Sequence, residues 1–220
     1  MKSSLDFDRY LKSKKINSSY FEHYKNKLNN LSYGMGYQQY EVVDVFSKLF
    51  SNRILSLNGE VDDYICELLK AQMLYLEMES DEDITLHINS GGGSVYSGLG
   101  LLDVMDYVKP DIVTINTGLA ASMAAVVLCS GTKGKRKSLK RSRTMIHQPM
   151  TGFGSYLQAS DMEIEAKEIN SLKKELYEII SENTGQKYDN VYKDGDRDYW
   201  LSAAEAKKYG MIDEIILKRK

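Results

Sequence analysis

The feature that most constrains the fold is an alternation of strand-like and helix-like segments, which begins at Val42. Short runs with an apolar residue at every second position predict strands, and longer runs with apolar residues three and four positions apart predict helices. Strands are predicted at 53–57, 84–88 and 111–115, and helices at 61–78, 95–108 and 122–130. Such an alternation is typical of an α/β fold with a mostly parallel sheet.

Glycines and a proline mark the predicted ends of these segments. Asn58-Gly59 is predicted to close the first strand, Gly91 to Gly93 to break the chain after the second, and Pro110 to end a helix. The C-terminal part continues the pattern with a strand at 144–146, a long charged helix at 161–182, a helix at 202–209 closed by Gly210, and a strand at 211–217.

Length and composition limit the domain count. The 220 residues suffice for one domain with a core. Residues 1–40 are rich in Lys, Ser, Asn and Tyr, and we interpret them as an N-terminal extension with one short helix near 19–28. Residues 41–220 are then the single folded domain.

Charge and cysteine content narrow the function and the location. The net charge is −2, whereas a dedicated nucleic-acid binder usually carries a basic excess. The 2 cysteines, Cys66 and Cys129, provide neither a disulfide framework nor metal-ligand spacing, which favours a reducing compartment. The sequence contains no apolar run of membrane-spanning length and no secretory signal pattern. We therefore expect a cytoplasmic protein without a metal.

One of the three histidines lies where α/β folds place their sites. His147 follows the strand at 144–146 and precedes Gln148-Pro149, where the proline imposes a change of direction. It is a candidate general base, with a non-catalytic strand end as the equal alternative. His87 alternates with apolar residues in a strand and is interpreted as a surface or cleft residue, and His23 lies in the extension.

Two turns between a strand and a helix are candidates for a nucleophile and for an anion cradle. Ser122 lies among small residues that permit a sharp turn, so its hydroxyl could project as in a nucleophile elbow, or it could simply cap the helix. Ser90 to Gly93 could present backbone N–H groups to an oxyanion, or form a plain tight turn. Because this stretch matches neither a dinucleotide fingerprint nor a Walker motif, no nucleotide cofactor is predicted.

Two charged segments have both a functional and a structural interpretation. A carboxylate at Asp196 or Asp198, just before Tyr199-Trp200, could orient an imidazole, or the cluster could be a solvated loop. The basic run at 133–143 is interpreted as a solvated turn and strand, because no aromatic residues interleave with it.

The order of the motifs is more specific than any one of them. The stretches INSGGGSVYSGLG, GLAASMAA, GTKGKR, MIHQPM and DRDYWLSAAEAKKYGMID together resemble the ClpP family of serine peptidases, and the resemblance covers about 43–217. LLKAQMLYLE and DRDYW look most like ClpP chains of the Bacteroidetes type. The resemblance implies a ClpP/crotonase-like fold of mostly parallel, repeated ββα units, with a protruding handle helix at 161–182.

The resemblance also implies a role for each site residue. The family's nucleophile falls on Ser122, its general base on His147 and its orienting carboxylate on Asp198. Its oxyanion donors, two backbone N–H groups, fall on Gly93 and Met123. The implied activity is that of a serine endopeptidase that forms an acyl-enzyme.

The family's assembly and partners are implied in the same way. Its members form two stacked seven-membered rings, and an AAA+ unfoldase such as ClpX, or of the ClpA/ClpC type, delivers unfolded proteins through axial pores. The unfoldase binds the ATP, so the resemblance implies no cofactor for this chain, no nucleic acid and no membrane. Residues 1–40 would be a propeptide or axial segment. Asp196-Arg197 resembles the segment that links ring contact to the catalytic aspartate.

Departures from the family pattern leave alternatives open. Gly91 stands where the family usually has proline, and polar residues occupy its apolar ATPase-docking pocket, namely Thr85, His87, Thr117 and Lys137. One hypothesis is therefore a mixed ring with another ClpP-type subunit, or a non-standard ATPase. The rival functions are a catalytically modest or silent subunit of such a ring and an acyl-CoA enzyme of the related crotonase fold.

Overall fold

A computed structural model describes residues 45–150 and 158–218. The chain divides into two compact units between Lys48 and Leu49. Of the first unit, the described part is the beginning of helix α1 (Val45–Ser51). The helix predicted near 19–28 lies outside the described residues. All the following elements belong to the second unit.

The described part of the second unit contains seven strands and six further helices. The strands are β1 (Ile54–Val61), β2 (Ile84–Gly93), β3 (Ile112–Ala121), β4 (Lys137–Leu139), β5 (Arg143–Ile146), β6 (Tyr199–Ser202) and β7 (Glu214–Ile216). The helices are α2 (Asp63–Glu79), α3 (Val95–Tyr107), α4 (Met123–Cys129), α5 (Ala159–Thr184), α6 (Tyr188–Asp194) and α7 (Ala203–Tyr209). The predicted α/β class is confirmed.

The sheet is mostly parallel and branches at β3. Strands β1, β2, β3, β4 and β7 are hydrogen-bonded in that order, and all of these pairs are parallel. Strand β3 pairs with β4 at Ile115 and Asn116, and then with β5 from Leu119 to Ala121. Strand β6 joins β5 as the antiparallel partner.

Buried polar contacts hold the branch together. The side chain of Asn116 is fully buried, and its Nδ2 donates to the carbonyl oxygen of Arg143 at 2.8 Å. Ser142 Oγ donates to the carbonyl oxygen of Asn116 at 3.0 Å. These bonds satisfy backbone groups that the branch would otherwise leave unpaired in the interior. They fix β5 against the second half of β3, so the ends of both strands lie side by side.

The core lies between one face of the sheet and the helices packed on it. Along β2, Ile84, Leu86 and Ile88 are fully buried, while the residues between them are partly exposed. Every residue of α4 is buried, and this helix packs on β2 and β3. Both cysteines are buried and free. Because burial raises the pKa of Cys129 to about 12, its thiol is protonated at neutral pH and is not a nucleophile.

Two strands continue through glycines that were predicted to end them. Strand β1 passes through Asn58-Gly59 to Val61, with a register shift between Asn58 and Glu60 and Gly59 at φ +91°. Strand β2 continues through Gly91 to Gly93, which pairs with Val61. The predicted breaks were wrong because glycine, which adopts positive φ readily, allows a bulge where other residues would end the strand.

Two short elements, β6 and α6, had no sequence prediction, and a third, β4, lies within the turn and strand predicted at 133–143. Strands β4 and β6 have 3 and 4 residues, and helix α6 has 7. Segments this short contain too few apolar positions to define a period. Their pairing partners and packing determine them instead, since β4 is held between β3 and β7, and β6 pairs along β5.

The interpretation of the basic run as solvated was wrong for three buried residues, Ser138, Ser142 and the charged Arg136. The Arg136 side chain is only 4% exposed, and its guanidinium donates to both carboxylate oxygens of Asp213, with Nη2–Oδ1 at 2.6 Å and Nε–Oδ2 at 2.9 Å. It also donates to the carbonyl oxygens of Cys129 and Asn183. A buried charge must be paired, and a distant aspartate supplies the partner. The preceding Lys135 stays at the surface, as predicted.

Candidate active site

Ser122 occupies a sharp turn between β3 and α4. Its backbone has φ 54° and ψ −128°, a conformation that is rare for a residue with a side chain. Its N–H donates to the carbonyl oxygen of Met145 on β5 at 2.9 Å, so the turn is tied to the neighbouring strand. Ser122 lies at the N-cap position of α4, but its side chain makes no capping bond. The alternative of a simple helix cap was therefore wrong.

Gly92 makes room for this turn. A Cβ atom on Gly92 would lie 2.6 Å from Ser122 Cβ and 2.7 Å from the carbonyl oxygen of Ala121. Both atoms are fixed by the backbone, so they cannot move aside as the end of a long side chain would. The glycine run of β2 and the serine turn thus pack directly against each other.

His147 directly follows β5 and faces the serine. Its Nε2 lies 2.8 Å from Ser122 Oγ, and its side chain is 11% exposed. Because Ser122 is bonded to Met145 through its backbone, two residues before the histidine, the imidazole and the hydroxyl meet at the common end of two paired strands. A neutral imidazole at this distance can accept the hydroxyl proton.

Asp198 lies on the other side of the imidazole. Its Oδ1 is 3.2 Å from His147 Nδ1, and its side chain is 60% exposed. Antiparallel pairing of β5 with β6 brings the two together. Ile146 pairs with Tyr199, so His147, which follows Ile146, lies beside Asp198, which precedes Tyr199. Of the two candidate carboxylates, it is Asp198 and not Asp196 that contacts the histidine.

The two predicted oxyanion positions lie beside the serine turn. Gly93 has φ +153°, and a Cβ there would lie 2.3 Å from the carbonyl oxygen of Val61. The backbone nitrogen of Met123 lies 3.0 Å from a Cβ built on Gly92. Met123 directly follows Ser122, and Gly93 follows the glycine that packs against Ser122 and lines the same groove as this serine. Their role as donors to an oxyanion stays a prediction.

The remaining histidines are not part of this arrangement. His87 lies within β2, where its register partners are Ser56 on β1 and Ile115 on β3. Burial lowers its pKa, so it is neutral at pH 7. His23 lies outside the described residues.

Two recesses adjoin the serine and histidine. One is a small apolar cavity of about 20 Å³, lined by Ser122, His147, Val95, Met123, Val126, Ile146, Pro149, Leu176 and Ile180. The other is an open groove of about 470 Å³ along the glycine run of β2, bordered by Glu60. An extended chain lying in this groove would pass the Ser122 hydroxyl, and the apolar cavity has room for a group about the size of a water molecule.

The described ranges 45–150 and 158–218 were compared with the requirements of a metal site and of a membrane-spanning helix. No group of three His, Cys, Asp or Glu side chains within them is arranged to hold a metal ion. Within the same ranges, no helix has the length and apolar character needed to cross a membrane.

Comparison with known proteins gives the family. A family model described as Clp protease matches residues 37–219. This chain belongs to the Clp protease family. A Bacteroides fragilis protein named ATP-dependent Clp protease proteolytic subunit is 54% identical over 178 residues, which cover 80% of this chain and 85% of that protein. The predicted family and the predicted serine peptidase class are confirmed.

Relatives of the same name come from other bacteria. The proteolytic subunit from Porphyromonas gingivalis is 52% identical over 81% of this chain and 80% of its own length. Proteolytic subunit 2 from a Prochlorococcus marinus strain is 55% identical over 79% of this chain and 87% of its own length. The Bacteroides and Porphyromonas relatives confirm the predicted likeness to Bacteroidetes chains.

Sequence analysis missed the residues that hold the segment before Asp198. The structure brings Gln148, two residues after β5, and Tyr177 of α5 to that segment, and Lys173 of α5 contacts Gln148. One sequence feature could have pointed to a role for Gln148, namely its position between His147 and Pro149. Lys173 and Tyr177 had none, because their partners lie about 20 residues or more away in the chain.

Proposed function

We propose that Ser122, His147 and Asp198 form the catalytic triad of this Clp-type serine peptidase. The observation that carries the proposal is the continuous contact from Ser122 Oγ through the imidazole to Asp198 Oδ1, at 2.8 Å and 3.2 Å. In this proposal the roles of nucleophile, base and orienting carboxylate follow the order of these contacts rather than the order along the chain.

The chemistry follows from these positions. His147 Nε2 takes the Ser122 proton as Oγ attacks a peptide carbonyl, and an acyl-enzyme forms when the imidazolium returns that proton to the leaving amine. Asp198 stabilises the imidazolium. The backbone N–H groups of Gly93 and Met123 hold the oxyanion, and one such donor is typically worth about 3 kcal/mol of barrier. Water then releases the acyl group by the reverse sequence.

The proposal also covers the domain organisation, the assembly and the partner of this chain. In this proposal residues 41–220 form the peptidase domain and residues 1–40 a propeptide or axial segment. The chain assembles as two stacked seven-membered rings and cuts unfolded proteins to small peptides inside them. A Clp-type AAA+ unfoldase supplies these substrates, consistent with relatives named as subunits of an ATP-dependent protease. The location would be the cytoplasm.

Labelling with an alkyl fluorophosphonate tests the triad. Attack by an activated Ser122 forms an O–P bond and releases fluoride, which marks the nucleophile covalently. We expect the full chain, assembled as judged by sizing, to be labelled and to cleave a short fluorogenic peptide amide. Ser122→Ala should abolish both without changing thermal unfolding. An assembled wild-type chain that is not labelled would instead support the silent subunit of a mixed ring.

A further inference from the structure

The short turn before Asp198 is held by contacts from distant parts of the chain. This turn, Asp194 to Asp196, receives three side-chain hydrogen bonds. Tyr209 Oη donates to Asp194 Oδ2 at 3.1 Å, Tyr177 Oη donates to the Gly195 carbonyl oxygen at 2.6 Å, and Gln148 Nε2 donates to the Asp196 carbonyl oxygen at 2.7 Å. The last of these bonds links the residue after His147 to a residue two positions before Asp198.

The Gln148 amide is in turn held by a lysine on α5. Lys173 Nζ donates to Gln148 Oε1 at 3.1 Å, and the same ammonium lies 4.3 Å from the centre of the Tyr192 ring. A carboxamide has a donor end and an acceptor end, whereas an ammonium group can only donate. Lys173 therefore selects the orientation in which Gln148 turns its oxygen to the lysine and its NH₂ group to Asp196.

We propose that Lys173 is a positioning residue for the contact between His147 and Asp198. By orienting Gln148, it ties the backbone on the histidine side to the backbone on the aspartate side. The contact needs such support because the Asp198 side chain is 60% exposed and extends from the edge strand β6. This inference rests on the proposed triad and assigns Lys173 no contact with substrate.

The test compares two lysine variants in the assembled full chain. Lys173→Met keeps the aliphatic stem but removes the donor and the charge. We expect the rate constant for fluorophosphonate labelling at saturating probe to fall about tenfold to a hundredfold, since a displacement of about 1 Å can cost that much. The probe concentration giving half-maximal rate should stay unchanged. Lys174→Met is the matched control, because Lys174 is exposed and pairs only at the surface with Glu178.

Two Gln148 variants show whether the effect passes through the amide. Gln148→Met and the double variant Lys173→Met/Gln148→Met should both react as slowly as Lys173→Met alone, because each breaks the same link. Gln148→Glu still accepts from Lys173 but has no donor for the Asp196 carbonyl, so it should be slow as well. It provides the test if Lys173→Met fails to assemble.

Each outcome decides between distinct conclusions. Wild-type rates in Lys173→Met, an equal loss in Lys174→Met, or a double variant whose loss is the product of the two single losses would overturn the positioning role. A change confined to the half-maximal probe concentration would overturn it too, since it would place Lys173 in probe binding. Failure of the assembled wild-type chain to label would instead refute the proposed triad.

Discussion

The two ends of the proposed triad are built differently. The serine end, meaning Ser122, Gly92 and helix α4, is buried except for the partly exposed Ser122, and it is shaped by backbone conformation and close packing. The aspartate end, meaning Asp198 and the Asp194 to Asp196 turn, lies at an edge strand and is held by side-chain hydrogen bonds. A change that disturbs the backbone or the packing of the serine end should therefore cost stability as well as rate, whereas a change at the aspartate end should cost mostly rate.

Asp198→Asn should have the largest effect and is confined to the aspartate end. An asparagine cannot stabilise the imidazolium and favours the wrong tautomer of His147, so we expect labelling of Ser122 to slow by roughly 10⁴-fold. The free energy of unfolding, measured with denaturant, should change by less than about 0.5 kcal/mol because the side chain is largely exposed. A large loss of stability would show that the two ends are not separable.

Arg136→Met should cause the largest loss of stability and acts on the serine end. Arg136 donates to the carbonyl oxygen of Cys129, the last residue of α4, and its removal leaves Asp213 partly buried without its partner. We expect the free energy of unfolding at pH 7 to fall by about 3–5 kcal/mol. Lys135→Met is the control and should cost far less stability, because its ion pairs are at the surface.

The free energy of unfolding of Arg136→Met and Lys135→Met should differ in its dependence on pH. Hydrogen bonds from Arg136 lower the pKa of Asp213 below its ordinary value. The stabilisation from this carboxylate is thus fully present above that ordinary value and is lost as the pH falls through the lowered one. Unfolding curves from pH 7 to pH 2 should show this loss for the wild type and Lys135→Met. If Arg136→Met shows the same acid loss, the pair does not carry it.

Gly92→Ala should disturb the serine end without touching a triad side chain. The added methyl group would collide with Ser122 Cβ and the Ala121 carbonyl oxygen, and the position has φ +93°. We expect labelling to slow about 10²–10³-fold, as when one oxyanion donor is lost, together with a measurable loss of stability. Gly91→Ala is the matched control, because a Cβ there meets nothing within 4 Å. Equal effects of the two variants would refute the packing argument.

The difference between the two ends also explains what sequence could predict. Ser122 was a candidate because a strand, small residues and a helix follow one another within a few positions, and such a turn is a local pattern. The strand and helix order from β1 to α4 was predictable for the same reason. His147 could be placed at a strand end, although its local pattern left its role undecided and only the family resemblance gave it the role of general base.

Contacts between residues that lie far apart in the sequence could not be predicted from local patterns. Local residues left Asp196 and Asp198 as equal candidates, and only the family resemblance pointed to Asp198, which the pairing of β5 with β6 places beside the imidazole. Arg136 looked solvated because its partner Asp213 lies 77 residues further along the chain. Lys173 and Gln148 meet through the packing of α5, which no local spacing indicates. Long-range pairing thus determines the aspartate end.

Tyr177→Phe should have the smallest effect and tests where the two ends meet. The Tyr177 ring is fully buried in the core, but its hydroxyl reaches the aspartate end and donates to the Gly195 carbonyl oxygen. Its removal leaves that carbonyl without this donor, so we expect a loss of about 1–3 kcal/mol in the free energy of unfolding. Labelling should slow only a fewfold, because Gln148 and Tyr209 still hold the turn.

The variant Tyr188→Phe, at the neighbouring aromatic ring, is the control for Tyr177→Phe. Tyr188 packs edge-on against Tyr177, and within the described part of the chain its hydroxyl makes no hydrogen bond. Tyr188→Phe should therefore leave the unfolding curve and the labelling rate at wild-type values. If Tyr177→Phe slowed labelling a hundredfold at unchanged stability, Tyr177 would belong functionally to the aspartate end alone. Burial would then fail to separate residues that control stability from those that control rate.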